Sequence, residues 1–500
     1  SCLWLSLFET THPDKIGDFA GLLLFYDCGK HSPPKAFPAL PFEIILAPHC
    51  LYDVEKAGYL IILNHSLNNS LSKRNGIMDT TSSKQFASEN LPPDIQLKAD
   101  RMNLDPAQIP PYELPPLPLQ PGMGGSHFQH MTAPRLIELF ERYMYGAIPP
   151  RCQEMEFRVT SEGPAFGTLG IRREIDLIFR HGNMERTAHL LLYLPAEVSG
   201  RCPVIFGLNF CGNHTTTNDP GVHFNEFTPL PDWNAGPRYA DTRAPASARG
   251  LKSGRWSFET LLKGGIAAAT ICYYDFFPDR KDGFEPGIMR MFYSPEEWNS
   301  AERPTGAISA WAWGIMRALD CLEAQPEIDV RRMMITGHSR LGKTALWAGA
   351  CDRRIALTAS NCSGCCGAKL SHRYFGESIE WIQQWNPHWI RADFERFSRH
   401  DADLPLDQHL LMAAIAPRLL YVASATRDYY ADPEGEFLGA QAAGEAWKCF
   451  GGNGLGDSGF PAPGRLIGHE VGYYLRAGDH DITQENWDAL LNFIRKNFDI

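Results

Sequence analysis

Between residue 188 and the C-terminus, short apolar runs alternate with longer stretches of helical character. The runs "AHLLLYLP" (188–195), "CPVIFGLNF" (202–210), "IAAATICYYD" (266–275), "RRMMITG" (331–337), "IALTASNCSG" (355–364), "RLLYVASA" (418–425) and "RLIGHEVGYYLRA" (465–477) read as strands. Between or after them, "RWSFETLLKGG", "AISAWAWGIMRALDCLEAQ" and "ENWDALLNFIRKNF" read as helices. Strands that are apolar along their whole length are covered on both faces, and helices between them make most of the pairings parallel. The expected class is therefore α/β, and in such sheets the functional residues gather beyond the carboxyl ends of the strands.

The region before this pattern is different. Residues 1–95 mix short apolar runs with polar stretches such as "NHSLNNSLSKRNG", with no sustained period of two or 3.6. They are expected to form an N-terminal extension of unknown role, and residues 96–500 the catalytic domain. A proline-rich lead-in, "IPPYELPPLPLQPG", precedes a helix expected over 133–145, where apolar residues recur at helical spacing up to Gly146. The first residues lack the basic start and apolar core of a signal peptide. No run of about 18 uncharged apolar residues suggests a membrane span. The formal net charge of −11 and the absence of a basic stripe disfavour a nucleic-acid partner. Of the 13 cysteines, Cys362, Cys365 and Cys366 cluster without the spacing of a zinc site, so they read as small buried residues and no metal is assigned.

At the end of one expected strand stands "GHSRLGK", Gly337 to Lys343. A serine on a sharp strand-to-helix turn is exposed above the sheet edge and sits beside the unpaired N–H groups of a helix start. That is the logic of the nucleophile elbow, G-x-S-x-G, although here the second glycine is Gly342, one position late. Ser339 is thus a candidate nucleophile, against the alternative of a simple helix cap. Its base would follow the last strand, where "AGDHD" places His480; His338, His372, His388 and His409 fit less well. For the acid, Asp428 lies just past the strand "RLLYVASA", while Asp432, before a proline, reads as a helix start. Arg340 and Lys343 put two cations on the first helical turn, against the dipole preference, so something anionic should compensate them, a substrate carboxylate being one candidate.

These residues carry a resemblance. "ITGHSRLGKTALWAGACDRRIALTASNCSGCCGAKLSHRYFGESI", with "WNPHWI", "PRLLYVASATRDYYADPEGEF" and "AGDHDIT", resembles the active-site region of the glucuronoyl esterases, carbohydrate esterase family fifteen, especially bacterial members. The likeness runs from about Pro93 to the C-terminus. It implies an α/β-hydrolase, a three-layer sandwich around a mostly parallel sheet. It implies hydrolysis of the ester between (4-O-methyl-)glucuronate of glucuronoxylan and lignin alcohols. By position it gives Ser339 as nucleophile, His480 as base, Asp428 as acid and Arg340 as oxyanion helper. Lys343, Glu377 and Tyr430 would contact the sugar, and no cofactor is called for. A secreted or periplasmic, monomeric enzyme is implied. Many relatives carry a glutamate acid at the position of Cys362, a departure that makes Asp428 the expected acid. The competing readings are an acetyl- or feruloyl-type carbohydrate esterase and a non-catalytic carbohydrate-binding protein on the same fold.

Overall fold

Along the segment Cys202–Asn209, Val204, Phe206 and Leu208 join one apolar core and Ile205 joins another, and all four are buried. Met333 and Ile335 against Met334 do the same. Alternate side chains of an extended chain point to opposite faces, so a strand apolar at every position must lie between two covering layers.

The computed structural model describes residues 102–197, 200–226 and 244–498, with the backbone of three short strands earlier in the chain. Those three, β1 (Trp4–Leu7), β2 (Ala20–Leu24) and β3 (Ile61–Leu63), pair antiparallel within a unit that ends at Met78. The boundary expected near residue 95 lies outside the described residues.

The second unit, Asp79–Ile500, holds a ten-stranded sheet. In chain order its strands are β4 (Glu154–Ala165), β5 (Gly170–His181), β6 (Met184–Pro195), β7 (Cys202–Asn209), β8 (Ala267–Cys272), β9 (Ile328–His338), β10 (Ile355–Asn361), β11 (Leu419–Ala425), β12 (Leu466–Gly468) and β13 (Val471–Arg476). Their spatial order is β12-β13-β11-β10-β9-β7-β8-β6-β5-β4. Five pairings, from β13 across to β8, are parallel, and four at the two edges are antiparallel. Two details depart from the sequence expectation. The stretch 465–477 is a hairpin, β12 and β13, because Gly468 turns the chain at φ 99°, where a Cβ would lie 2.0 Å from the Val471 carbonyl. In addition, the charged segments β4 and β5 extend the sheet as a long antiparallel flank.

Helices α1 (Ala133–Tyr143), α2 (Phe258–Lys263), α3 (Ala307–Glu323), α4 (Arg340–Cys351), α5 (Gln408–Ala413), α6 (Pro433–Gly444) and α7 (Gln484–Phe498) cover the two faces. Side chains of α1, α3, α4, α5 and α6 enter the larger core, while α2 and α7 enter the smaller one. This is the three-layer arrangement of an α/β-hydrolase. Eleven of the twelve residues of α4 are buried, including Arg340 and Lys343, which fixes the helix start rigidly under the sheet's carboxyl edge.

Candidate active site

Ser339 has φ 58° and ψ −129°, a conformation that costs a residue with a Cβ about 1–3 kcal/mol and persists only where its surroundings impose it. They do so here. Its N–H donates to the Asn361 carbonyl (2.9 Å), extending the β9–β10 ladder, and its carbonyl accepts from Gly342 N (2.8 Å) and Lys343 N (3.2 Å). A Cβ on Gly337 would lie 2.0 Å from the Leu341 carbonyl oxygen, so only glycine allows the turn. A Cβ on Gly342 would lie 3.0 Å from Ser360 Oγ and Ser363 Cβ, so a glycine one place late lets the helix pack on β10. The Ser339 side chain makes no capping bond, so the elbow reading is favoured over the cap.

Four adjacent parallel strands, β13, β11, β10 and β9, lead past their carboxyl ends to His480, Asp428, Cys362 and Ser339 in that order. The structure brings His480 and Asp428 together: His480 Nδ1 and Asp428 Oδ2 are 2.6 Å apart. Asp428 is buried, whereas the His480 side chain is 43% exposed, so the imidazole has one edge in the protein and one toward solvent. The loop carrying His480 is pinned on several sides. Gly478 N donates to Thr426 Oγ1 (3.0 Å), Arg427 pairs with Asp479 (2.8 Å), and Arg255 pairs with Asp481 (2.7 Å). Arg476 donates to the carbonyls of Ala477 and Asp479. The His480 ring lies against that of His338, the residue before Ser339, with centroids 4.6 Å apart. Burial pulls the His480 pKa down, but the charge and hydrogen bond of Asp428, with Glu377 beyond, carry it above 6.5. His338 is pushed the other way, by burial and by His480, so it stays neutral and bonds Asn361 Nδ2 (2.8 Å).

The other candidates have separate employment. Asp432 caps α6 through Gly435 N (3.0 Å) and pairs with Arg373 (3.0 Å). His372 pairs with Asp407 (2.8 Å), and His409 bonds the Pro115 carbonyl (2.9 Å).

The two cations beside Ser339 are compensated from within. Arg340 pairs with Asp279, a buried carboxylate past β8 that also accepts from His388 Nε2 (2.8 Å), Trp389 Nε1 (2.6 Å) and the Tyr273 hydroxyl (3.1 Å). Burial alone would raise the Asp279 pKa, but Arg340 and these donors hold it below the usual carboxylate range. Trp389 also lies under the guanidinium, 5.0 Å from ring centre to Arg340 Cζ. The Lys343 ammonium donates to the carbonyls of Ser363 and Cys365 (2.7 Å for the latter) and stands 3.7 Å from Glu377. Glu377 N in turn donates to the Tyr430 carbonyl (2.9 Å). Lys343, Glu377 and Tyr430 thus form one connected patch. Burial, then Asp428, pushes the Tyr430 phenol up to about 12, so it stays neutral.

Sequence reasoning missed Asp279 and Glu436. Glu436 is fully buried on α6 and accepts from Ser363 N (2.7 Å), Gly364 N (2.9 Å), Ser363 Oγ (3.1 Å) and Ser424 Oγ (2.6 Å). It holds the turn after β10 that supplies the Lys343 carbonyls. Neither carboxylate stands in a motif; a glutamate in the apolar segment "PEGEFLGAQAAG" was the only hint.

Comparison with known proteins adds three findings. A family model described as "Glucuronyl esterase, fungi" matches residues 287–451. A protein named "Carbohydrate esterase MZ0003", from an unknown prokaryotic organism, is 38% identical over 408 residues, 80% of this chain and 93% of that one. Among solved structures, a glucuronoyl esterase from Solibacter usitatus superposes with a TM-score of 0.72 at 36% identity, covering 78% of this chain and 99% of that one. A structure described as a promiscuous CE15 esterase from the marine bacterial metagenome gives 0.72 at 37% identity, with 79% and 100% covered.

Proposed function

The chain belongs to carbohydrate esterase family 15, the glucuronoyl esterases, and from that premise we propose that it hydrolyses esters of glucuronate through an acyl-enzyme on Ser339. The observation that carries this reading is the placement of Ser339, Asp428 and His480 past three strands of one parallel set, with Asp428 and His480 2.6 Å apart. His480 takes the Ser339 proton as the hydroxyl attacks the uronate carbonyl, and Asp428 holds the ring tautomer and stabilises the imidazolium. The oxyanion forms at the start of α4, where backbone N–H groups lack carbonyls of a preceding turn and Arg340 adds charge. The alcohol leaves with the proton from His480, and water then releases glucuronate by the reverse sequence.

In this reading Lys343, Glu377 and Tyr430 meet the sugar ring, and the natural alcohol is a lignin unit attached to glucuronoxylan. Such polymers are met outside the cell, so an exported enzyme belongs to the same proposal. No helix among the described residues is long and apolar enough to cross a membrane.

The test compares kcat/KM on benzyl glucuronate with that on 4-nitrophenyl acetate, for wild type and for Ser339→Ala. Preference for the uronate ester, lost in the variant, is expected. A marked preference for the acetate would move the assignment to a simple-ester hydrolase. A second reading, a broad ester range, is favoured by the relative described as promiscuous and would show as comparable rates on both. No turnover of either ester would leave the carbohydrate-binding reading.

A further inference from the structure

Cys362, Asp428 and His480 follow three neighbouring strands, and each brings one ligand atom to within 4.8 Å of the other two: a thiol sulfur, a carboxylate oxygen and a ring nitrogen. The cysteine spacing along the chain holds no zinc pattern, because these donors come together only when β10, β11 and β13 lie side by side. We propose that this trio is a binding site for a borderline-soft divalent cation, with Zn2+ as the fitting ion, and that its occupation reversibly silences the esterase.

The donor set is chemically coherent. Thiolate, imidazole and carboxylate are each zinc ligands, and sites with three protein ligands leave the fourth tetrahedral position to water. With bonds of about 2.3 Å to sulfur and 2.0–2.2 Å to nitrogen and oxygen, tetrahedral donors stand about 3.4–3.6 Å from one another. Asp428 Oδ2 and His480 Nδ1, now 2.6 Å apart, need open by about 1 Å or less, and the thiol, within 4.8 Å of both, need close by no more than about 1.4 Å. The Cys362 backbone is fixed by its N–H on the Ala423 carbonyl (2.7 Å), and its side chain is buried beside Asp428. The ion enters over the exposed edge of His480. A sulfur ligand selects Zn2+ over Mg2+ or Ca2+, which prefer oxygen alone.

Binding forms a Zn–S bond as the S–H bond breaks and a Zn–N bond as the His480 Nδ1–H bond breaks; the thiol proton goes to solvent and the ring proton moves by way of water to Nε2, with no change of oxidation state. It takes the His480 ring out of service as a base. The binding stands whatever the substrate; the silencing rests on His480 serving Ser339.

The experiment titrates Co2+, a spectroscopic stand-in, into the chelator-treated protein and follows the near-ultraviolet cobalt–thiolate band. Wild type should show a saturable band at one equivalent, and Cys362→Ser should lack it. Should Cys362→Ser misfold, His480→Gln keeps the thiol and removes one donor; cobalt affinity should fall at least about tenfold. In parallel, Zn2+ should inhibit ester hydrolysis and a chelator should restore it. The Zn2+ needed for half-inhibition of Cys362→Ser, relative to that variant's own rate, should rise at least about tenfold. No band in wild type, a band unchanged in the folded variants, or equal zinc sensitivity with and without the thiol overturns the proposal. An inactive protein that still shows the cysteine-dependent band keeps the site and fails only the esterase reading.

Discussion

Arg340, the residue after Ser339, forms a buried ion pair with Asp279, from the segment after β8. The cation that the sequence left uncompensated at a helix start is thereby neutralised by a carboxylate 61 residues away in the chain. The same carboxylate gathers His388, Trp389 and Tyr273, so the position of the guanidinium is set by a four-donor cluster.

Asp279→Asn should therefore unsettle both folding and chemistry. Removing one partner of a buried pair leaves a charge unmatched and costs about 3–5 kcal/mol. With Arg340 in its proposed oxyanion role, its misplacement should cost about 10²-fold in kcat. Urea denaturation and steady-state kinetics on a uronate ester check the two. Unchanged values in both would show that Arg340 does not depend on Asp279.

The dyad predicts a pH profile. With His480 as the proposed base, activity requires its neutral form, so kcat/KM should rise with pH through a pKa above 6.5, the side to which Asp428 moves it. Asp428→Asn should shift that limb to lower pH and reduce kcat by about 10⁴-fold with little change in Tm. Stability runs the other way. A pKa raised in the folded state favours folding below 6.5 and loses that contribution as pH climbs through the folded value. A rate unaltered by the substitution would place the acid elsewhere.

Glu436 gives a second titration. Burial, only partly offset by its hydroxyl and amide donors, pushes its pKa up to about 7 from 4.5. The folded chain thus binds this proton more tightly than the unfolded one, so stability should decline between about pH 4.5 and 7. Glu436→Gln, which keeps an acceptor for Ser363 N and Gly364 N, should flatten that decline. Glu436→Ala, which strands two buried N–H groups, should cost about 2–6 kcal/mol at any pH. Melting curves across this pH range measure all three proteins. A decline as steep in the glutamine variant as in wild type would assign it to another group.

Gly337→Ala places a methyl 2.0 Å from the Leu341 carbonyl oxygen, a backbone atom that cannot step aside. Loss of the elbow geometry should abolish detectable turnover, and stability should fall by more than about 2 kcal/mol, as with overpacked cores. An active, stable variant would mean that the turn at Ser339 relaxes without penalty.

How much of this was readable beforehand follows from the range of the forces involved. The parallel core strands were legible because burial on both faces favours a nearly unbroken apolar run, as in "CPVIFGLNF". β4 and β5 were not, because charged residues interrupt their apolar pattern even where they are buried: Arg172 and Glu174 lie in the interior, and Arg173 pairs with Glu162 and Glu327. The residues Ser339, Asp428 and His480 could be placed because each follows a strand end, and strand ends are marked locally by glycine, proline and polar residues.

What the order of residues determined by itself was the parallel core strands, the strained turn that only Gly337 permits, and the three groups that follow strand ends. What only the tertiary structure decided was who stands beside whom. Asp279 reaches Arg340, Glu436 supports the turn beneath Lys343, and Cys362 joins Asp428 and His480 because strands distant in sequence became neighbours in one sheet. Local conformation is fixed by sterics within a few residues, but charge compensation and ligand geometry act through space, and chain separation carries no record of them.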